Sequence, residues 1–241
     1  MATLSTFCIA CAKFTGGDRL GQAHAVLATS PYFVVYHVAV LVHARRELHM
    51  VFVLLGLLLV AGLSSAIKNA LQHPRPTAMC SLLGNCHKHG MPSSHTTVVA
   101  FAATMSLLLF LHRQRQRGDH GRPRPQGSGG GSRGGGLVDA MARAVHLLEV
   151  QALVLLAMAV GAGRVYLGYH SADQVAAGAV LGATFAGAWW QLTLAACQRW
   201  SALLLRLPPL QALSFRDTLS CPDVHAAEAA LFNQRDERHN D

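Results

Sequence analysis

Charge is scarce in this sequence, and negative charge is scarcest. Asp, Glu, Lys and Arg make up 13% of the 241 residues, about half the share usual in soluble domains, while 51% are hydrophobic and the mean hydropathy is +0.30. A membrane protein is the class that fits. Only 12 acids stand against 20 Lys and Arg, and none lies between Glu47 and Asp119. A site built on two metal ions depends on carboxylate oxygens, which this stretch cannot supply. Aromatic residues amount to 7% and are not interleaved with the basic ones. That excludes a base-stacking nucleic-acid surface, despite a formal charge of +8 and a pI near 9.6. Anionic lipid is the better partner for that charge. The apolar start, MATLSTFCIACAKF, has no basic flank, so it is expected to stay in the mature chain rather than be cleaved as a signal. Six cysteines in a chain of this size do not make a disulfide framework.

What the sequence does contain is apolar length. Five runs, roughly Ala23–Ala44, Met50–Ile67, Thr96–Leu111, Leu147–Gly163 and Val175–Ala196, each approach the ~20 residues that carry a helix across a bilayer. They predict an all-α, polytopic helical bundle in a single domain spanning residues 1–241. The first run contains Pro31 and the third is the shortest. The segment LLLRLPPLQAL, Leu203–Leu213, is too short and too Pro-broken to span, and is expected in the interface. Trp189, Trp190 and Trp200 fit either headgroup anchors or packing residues. Between runs three and four, about residues 113–137, a stretch rich in Arg, Gly, Pro and Ser cannot bury a core and reads as a disordered loop. Its arginines, with those of ARRELH and of a tail from about residue 197, place these segments on the cytoplasmic side. Five crossings then leave Lys68–His95 and Gly163–Gln174 together on the outer or lumenal face.

Those two loops hold the remaining unusual polar residues: Lys68, Arg75, Ser93, Ser94, His95, Arg164 and His170. Three fixed cations, hydroxyls and two imidazoles suit a phosphate, whose oxygens an Arg can hold in pairs. Pro92 at a helix start is expected to leave the N–H groups of Ser93, Ser94 and His95 pointing at the anion. Each piece has a plainer reading. Lys68 and Arg75 fit helix-end snorkelling, Pro-Ser-Ser fits a cap, and a lone His fits a satisfied polar residue. Their convergence on one face, under a topology fixed by other residues, makes chemistry the leading explanation. His87 and His89, in CHKHG, give a stray transition metal two ligands but not the set a structural zinc takes. The site is read as metal-free and cofactor-free.

Lys68, six residues, then Arg75-Pro76; Pro92-Ser93-Ser94-His95; and Arg164, five residues, then His170 resemble the three signature motifs of the type 2 phosphatidic acid phosphatase superfamily. The stretches GDRLGQAHAVLATSP, RRELHM, IKNALQHPRP, GMPSSH, RVYLGYH and RDT are similar to its dolichyldiphosphatase branch, from about Gly17 to Thr218 apart from the Gly-rich loop. There are departures from the wider superfamily: Gly163 stands where Ser is usual before the motif Arg, Ser94 where Gly is usual, and Gln174 where Asp is usual. The last is shared with the branch.

The resemblance implies a phosphatidic acid phosphatase type 2-like bundle in the endoplasmic reticulum membrane with a lumenal site. It would hydrolyse an isoprenoid lipid diphosphate to the monophosphate and so recycle the dolichol carrier for protein N-glycosylation. It implies that His170 is the nucleophile, that Lys68, Arg75, Arg164, Ser93 and Ser94 hold the phosphate, and that His95 moves the proton. Gln174 or Asp173 would orient His170, with Asp173 better fitted to cap the following helix. Phosphatidate, a sphingoid phosphate or a sugar phosphate are alternative substrates. A soluble vanadium haloperoxidase uses a similar cradle, which the five runs argue against, and a catalytically dead lipid-phosphate binder or flippase-like transporter is the reading from another class. Cys80 and Cys86 share the first outer loop, where an oxidising lumen would permit a bridge.

Overall fold

The computed structural model describes residues 4–7, 12–76, 83–84, 86–120 and 134–219, of which 4, 117–120, 134–139 and 142 are described by backbone alone. It is a helical bundle preceded by a small hairpin. Strands β1 (Leu4–Phe7) and β2 (Ala12–Thr15) pair antiparallel, with Leu4 opposite Thr15 and Phe7 opposite Ala12. The helices are α1 (Arg19–Leu27), α2 (Ser30–Arg45), α3 (Leu48–Leu71), α4 (Ser94–His120), α5 (Gly134–Tyr166), α6 (Ala172–Leu204) and the short α7 (Pro208–Ala212). Arg19–Arg45, Leu48–Leu71, Ser94–Gln116, Arg143–Tyr166 and Ala172–Leu204 are long and apolar enough to cross a membrane, so the five spans and the all-α class hold. The hairpin is an element that the hydrophobic pattern does not reveal.

The first span is broken by its own sequence. Pro31 has no N–H to give the Leu27 carbonyl and its ring crowds the preceding turn, so α1 ends at Leu27 and α2 begins at Ser30 with Pro31 in its first turn. The Ser30 hydroxyl donates to the Leu27 carbonyl instead, at 2.6 Å, and Thr29 to that of Val26, at 2.7 Å. At the start of α1, Asp18 accepts from the Gly21 amide at 2.9 Å and from the Tyr166 hydroxyl at 3.1 Å, tying α1 to α5. Arg46 and Gln72, both left-handed, stop α2 and α3.

Helix α4 is the hub and packs against α2, α3, α5 and α6. Phe101, Leu57, Val60 and Ala186 are sealed between these helices, while Leu58, Leu155 and Val180 face outward as lipid would require. The closest approach is α4 on α6. A Cβ at Gly178 would stand 2.6 Å from the Ser93 carbonyl oxygen, and one at Gly182 would overlap that of Thr97, so only glycine lets the backbones meet. Trp190 is buried and Trp189 donates to the Phe52 carbonyl at 2.8 Å, so both are packing residues, whereas Trp200 is exposed.

Helix enters both ends of the loop expected to be disordered at about 113–137. Helix α4 runs on to His120 and α5 starts at Gly134, which leaves 121–133 of the Arg/Gly-rich stretch outside the described residues. The tail is helical to Leu204, and beyond α7 it folds back onto the bundle. Leu219 is buried, and its carbonyl accepts from Gln116 at 3.1 Å.

Candidate active site

Four helix ends converge at one end of the bundle: the C-terminal turns of α3 and α5 and the N-terminal turns of α4 and α6. Antiparallel succession makes this unavoidable once the spans are set. Lys68 lies on the last turn of α3, and its Nζ donates to the Ser94 hydroxyl at 2.9 Å, which Ser64 also reaches at 3.0 Å. Arg75 follows in the loop and donates to the Tyr169 carbonyl at 2.8 Å. Arg164 is 6% exposed, stacks over the Tyr169 ring at 4.1 Å, and leaves its Nε without a partner. The hairpin leans over the same end, with the Lys13 amide on the Tyr169 hydroxyl at 2.8 Å and Lys13 Nζ on the Leu83 carbonyl at 3.2 Å.

His170 sits among these cations, 2% exposed. Its Nδ1 lies 3.2 Å from Gln174 Oε1, which also accepts from the Ser171 amide at 3.3 Å. An amide oxygen only accepts, so Nδ1 carries the proton and Nε2 keeps its lone pair, without a hydrogen-bond partner among the described residues. The orientation of the amide is itself fixed. Gln174 Nε2 donates to the Pro74 carbonyl at 2.7 Å and lies 3.0 Å from His73 Nδ1, so a flipped amide would set oxygen against oxygen. The Gln174 side chain fits only because position 90 is glycine, where a Cβ would overlap it. Asp173 is exposed and bonded to Ser171, which makes it a cap of α6, and Gln174 is the group that contacts the imidazole.

Burial, then the charges of Arg164, Arg75 and Lys68, hold the His170 imidazole far below its ordinary 6.5, at about 2, with the Gln174 hydrogen bond acting the other way. Burial likewise lowers Arg75, partly offset by Tyr169. For His170 the linkage has a definite sign. Below about 6.5 the unfolded chain takes up a proton that the folded one refuses, so this contribution to stability is whole above 6.5 and drains away as the pH falls towards the folded value. We expect the unfolding temperature in detergent to drop between pH 7 and pH 5 by less in His170→Gln than in the wild type. Equal drops would contradict the assignment.

His95 lies one residue into α4, its ring edge-on to Tyr32 at 6.3 Å between centroids and hydrogen-bonded to the backbone carbonyl of Ala28. That carbonyl is free because the helix is broken there: the Tyr32 amide, its partner in a continuous helix, turns to Thr29 at 3.1 Å instead. Ser93 departs from expectation. Its amide donates to the Gln174 carbonyl at 3.0 Å and its hydroxyl accepts from Thr96 at 3.1 Å, so of the three amides expected to face an anion those of Ser94 and His95 remain. The reason is that helix α4 begins at Ser94, not at Pro92, and Ser93 is used to dock it on α6.

The profile of the PAP2 superfamily matches residues 49–196, which include every one of these helix ends. The chain belongs to the PAP2 superfamily. Among curated PAP2-type relatives, it is 31% identical to Dolichyldiphosphatase 1 of Homo sapiens over 88% of this chain and 81% of that one. It is 32% identical to Dolichyldiphosphatase 1 of Mus musculus over the same shares. It is also 28% identical to Lipid phosphate phosphatase gamma of Arabidopsis thaliana, over 88% of this chain and 84% of that one. No solved structure matches it.

The departures from the usual PAP2 motifs have local causes. A Cβ at Gly163 would stand 2.7 Å from His24 Nδ1, so a serine there would displace the His24 ring. Ser94, in place of glycine, supplies the hydroxyl that holds Lys68. Sequence reasoning missed Tyr169, Ala28, His73 and Pro74. Tyr169 had a signal, an aromatic ring next to His170 in a cationic loop. Ala28 and Pro74 act through backbone carbonyls and His73 through a ring nitrogen that meets Gln174 only in the folded chain, and these had none. Cys86 is disulfide-bonded, while Cys80 lies outside the described residues.

Proposed function

We propose that this PAP2 chain is a metal-independent lipid diphosphate phosphatase, converting dolichyl diphosphate to dolichyl phosphate and phosphate at the lumenal face of the endoplasmic reticulum membrane, so that the carrier is recycled for N-glycosylation. The observation that carries this is His170: a neutral imidazole with its proton locked on Nδ1 and its Nε2 lone pair open beneath three cations. A neutral nucleophile surrounded by fixed positive charge is what an anionic phosphorus centre requires.

In the first step His170 Nε2 attacks the terminal phosphorus, the bond to the bridging oxygen breaks, and the electron pair leaves with the lipid monophosphate. Lys68, Arg75 and Arg164, with the amides around Ser94, hold the equatorial oxygens. In the second step His95 takes a proton from water, whose oxygen attacks the phosphorus; the P–Nε2 bond breaks, its electron pair returns to His170, and inorganic phosphate leaves. The names of the relatives support a lipid substrate: two speak of dolichyl diphosphate and one of lipid phosphate.

The test is phosphate release by purified protein in detergent with EDTA, comparing dolichyl diphosphate, dolichyl phosphate and phosphatidate. EDTA-resistant release favouring the diphosphate is expected. Preference for phosphatidate would overturn the substrate, and loss in EDTA would overturn the metal-free mechanism.

The broken first span adds a second prediction. Restoring an amide with Pro31→Ala lets the helix close and compete for the Ala28 carbonyl. His95 then loses its orientation, and kcat is expected to fall about 10-fold with KM little changed, against the ~10²–10⁴-fold that a whole acid–base group supplies. An unchanged kcat would remove the helix break from the mechanism.

A further inference from the structure

Two segments that carry the family resemblance contain no catalytic residue. RRELHM, Arg45–Met50, and RDT, Arg216–Thr218, lie at the end of the bundle opposite the site, about 28 Å away by the rise of α4 from Ser94 to Arg113. There they are joined to each other: the Leu48 amide donates to the Arg216 carbonyl and the Arg216 amide to that of Arg46, both at 2.9 Å, which pairs Glu47 with Arg216. Residues 170 positions apart thus meet at the end of the bundle away from the candidate catalytic site.

Over this junction opens a cavity of about 1030 Å³. Its floor is α4, at Met105 and Leu109, and its walls are α2, at Val34 and Val38, and α5, at Leu153 and Leu156. Helices α2 and α5 pack on α4 rather than on one another, which leaves the shaft between them. At its upper end, beside the break in the first span, the hydroxyls of Thr29 and Ser30 are already bonded to backbone carbonyls. That end has nothing to give a polar ligand, and the site cations do not line it.

The lower mouth is different. Four arginines, Arg45, Arg113, Arg143 and Arg216, face two carboxylates, Glu47 and Glu149. The carboxylates have histidine neighbours, at 3.5 Å from His49 and 3.6 Å from His146. Arg45 and Arg143 have no ion-pair or hydrogen-bond partner among the described residues. His49 also lines the cavity, 1% exposed, and neither of its ring nitrogens makes a hydrogen bond. The Glu47 carboxylate at 3.5 Å is an ionic contact rather than a hydrogen bond, so the sealed imidazole keeps hydrogen-bonding capacity for a group in the cavity. An apolar shaft with a cationic, donor-rich mouth has the profile of an amphiphile whose head is an anion and whose tail is a hydrocarbon. A peptide is excluded by the same walls: its backbone would find no partners between Val34, Leu109 and Leu156 unless it were a helix, some 10 Å across.

We propose that this cavity is a second lipid site, holding the headgroup of a lipid phosphate monoester between Arg45, Arg143 and His49 with its chain in the shaft, at the membrane face opposite the catalytic cradle. The occupant belongs to the class of the product in the proposed reaction, but the site does not depend on that reaction. Its binding is measured without turnover.

The test is native mass spectrometry of the full chain with geranylgeranyl phosphate as probe, and with geranylgeraniol and inorganic phosphate as controls. The expected result is one bound lipid that survives Lys68→Ala/Arg164→Ala, which empties the cradle, and that Arg45→Gln/Arg143→Gln weakens at least about 10-fold. Both mouth arginines are exposed, so the double variant is expected to fold. Ser106→Phe narrows the shaft with the arginines intact and is expected to expel the same lipid. Phosphate release by the mouth variant should stay within about twofold of wild type. The proposal is overturned if the only lipid bound is lost with the cradle variant, if geranylgeraniol binds as well as its phosphate, or if inorganic phosphate alone fills the site.

Discussion

His170→Ala is expected to abolish phosphate release, by at least about 10³-fold, while the protein remains folded in detergent. The size follows from the position of the ring. Its Nε2 is the open lone pair at the centre of three cations, and His95, the other imidazole among them, is assigned the proton transfer in the proposed reaction. Stability should not suffer in proportion, because the ring is a buried polar group whose one hydrogen bond, at 3.2 Å, goes to an amide that has three other contacts. Rapid-quench labelling with a terminally labelled lipid diphosphate separates the roles of the two histidines. His170→Ala should show no phosphoprotein, whereas His95→Gln should form one and release it slowly. Phosphoprotein in His170→Ala would sink the nucleophile assignment.

The second large effect belongs to Arg164. Arg164→Lys preserves the charge, yet kcat is expected to fall on the order of 10²- to 10³-fold. The guanidinium carbon lies over the Tyr169 ring, 4.1 Å from its centroid, and Tyr169 is itself held by Arg75 at its carbonyl and by the Lys13 amide at its hydroxyl. A stacked fork presents its remaining N–H groups in a fixed plane, and a buried cation–π contact of this kind contributes about 2 kcal/mol. An ammonium keeps neither the plane nor the second donor. Activity within threefold of wild type would show that charge alone matters at this position. Tyr169→Leu should weaken binding and turnover together, since it removes the platform rather than a ligand.

Much of this was legible in the chain. Span length follows from bilayer thickness, so the apolar runs give the five helices whatever their packing. Alternation then puts Lys68, His95, Arg164 and His170 at one end. Pro31 was visible too, but not its consequence. A proline announces a lost hydrogen bond, whereas the use of the freed Ala28 carbonyl by His95 depends on how α4 lies against α1. The Ser93 amide was misjudged for a related reason: whether an N–H at a helix start is free is decided by what packs over it, here the Gln174 carbonyl. The hairpin gave no signal because two four-residue strands over a helix end have no periodicity long enough to read.

By itself, then, the sequence determined the class of protein, the number of spans and the gathering of Lys68, Arg75, Arg164 and the two histidines at one end of the bundle, since hydrophobic length and motif spacing are local quantities. The tertiary structure alone decided which nitrogen of His170 is open, because that rests on a chain of contacts from Pro74 through Gln174 across 100 residues. It alone brought Arg45 to Arg216 at the mouth of a second cavity. Protonation, orientation and enclosure are set by neighbours in space, and neighbours in space are what a linear pattern does not record.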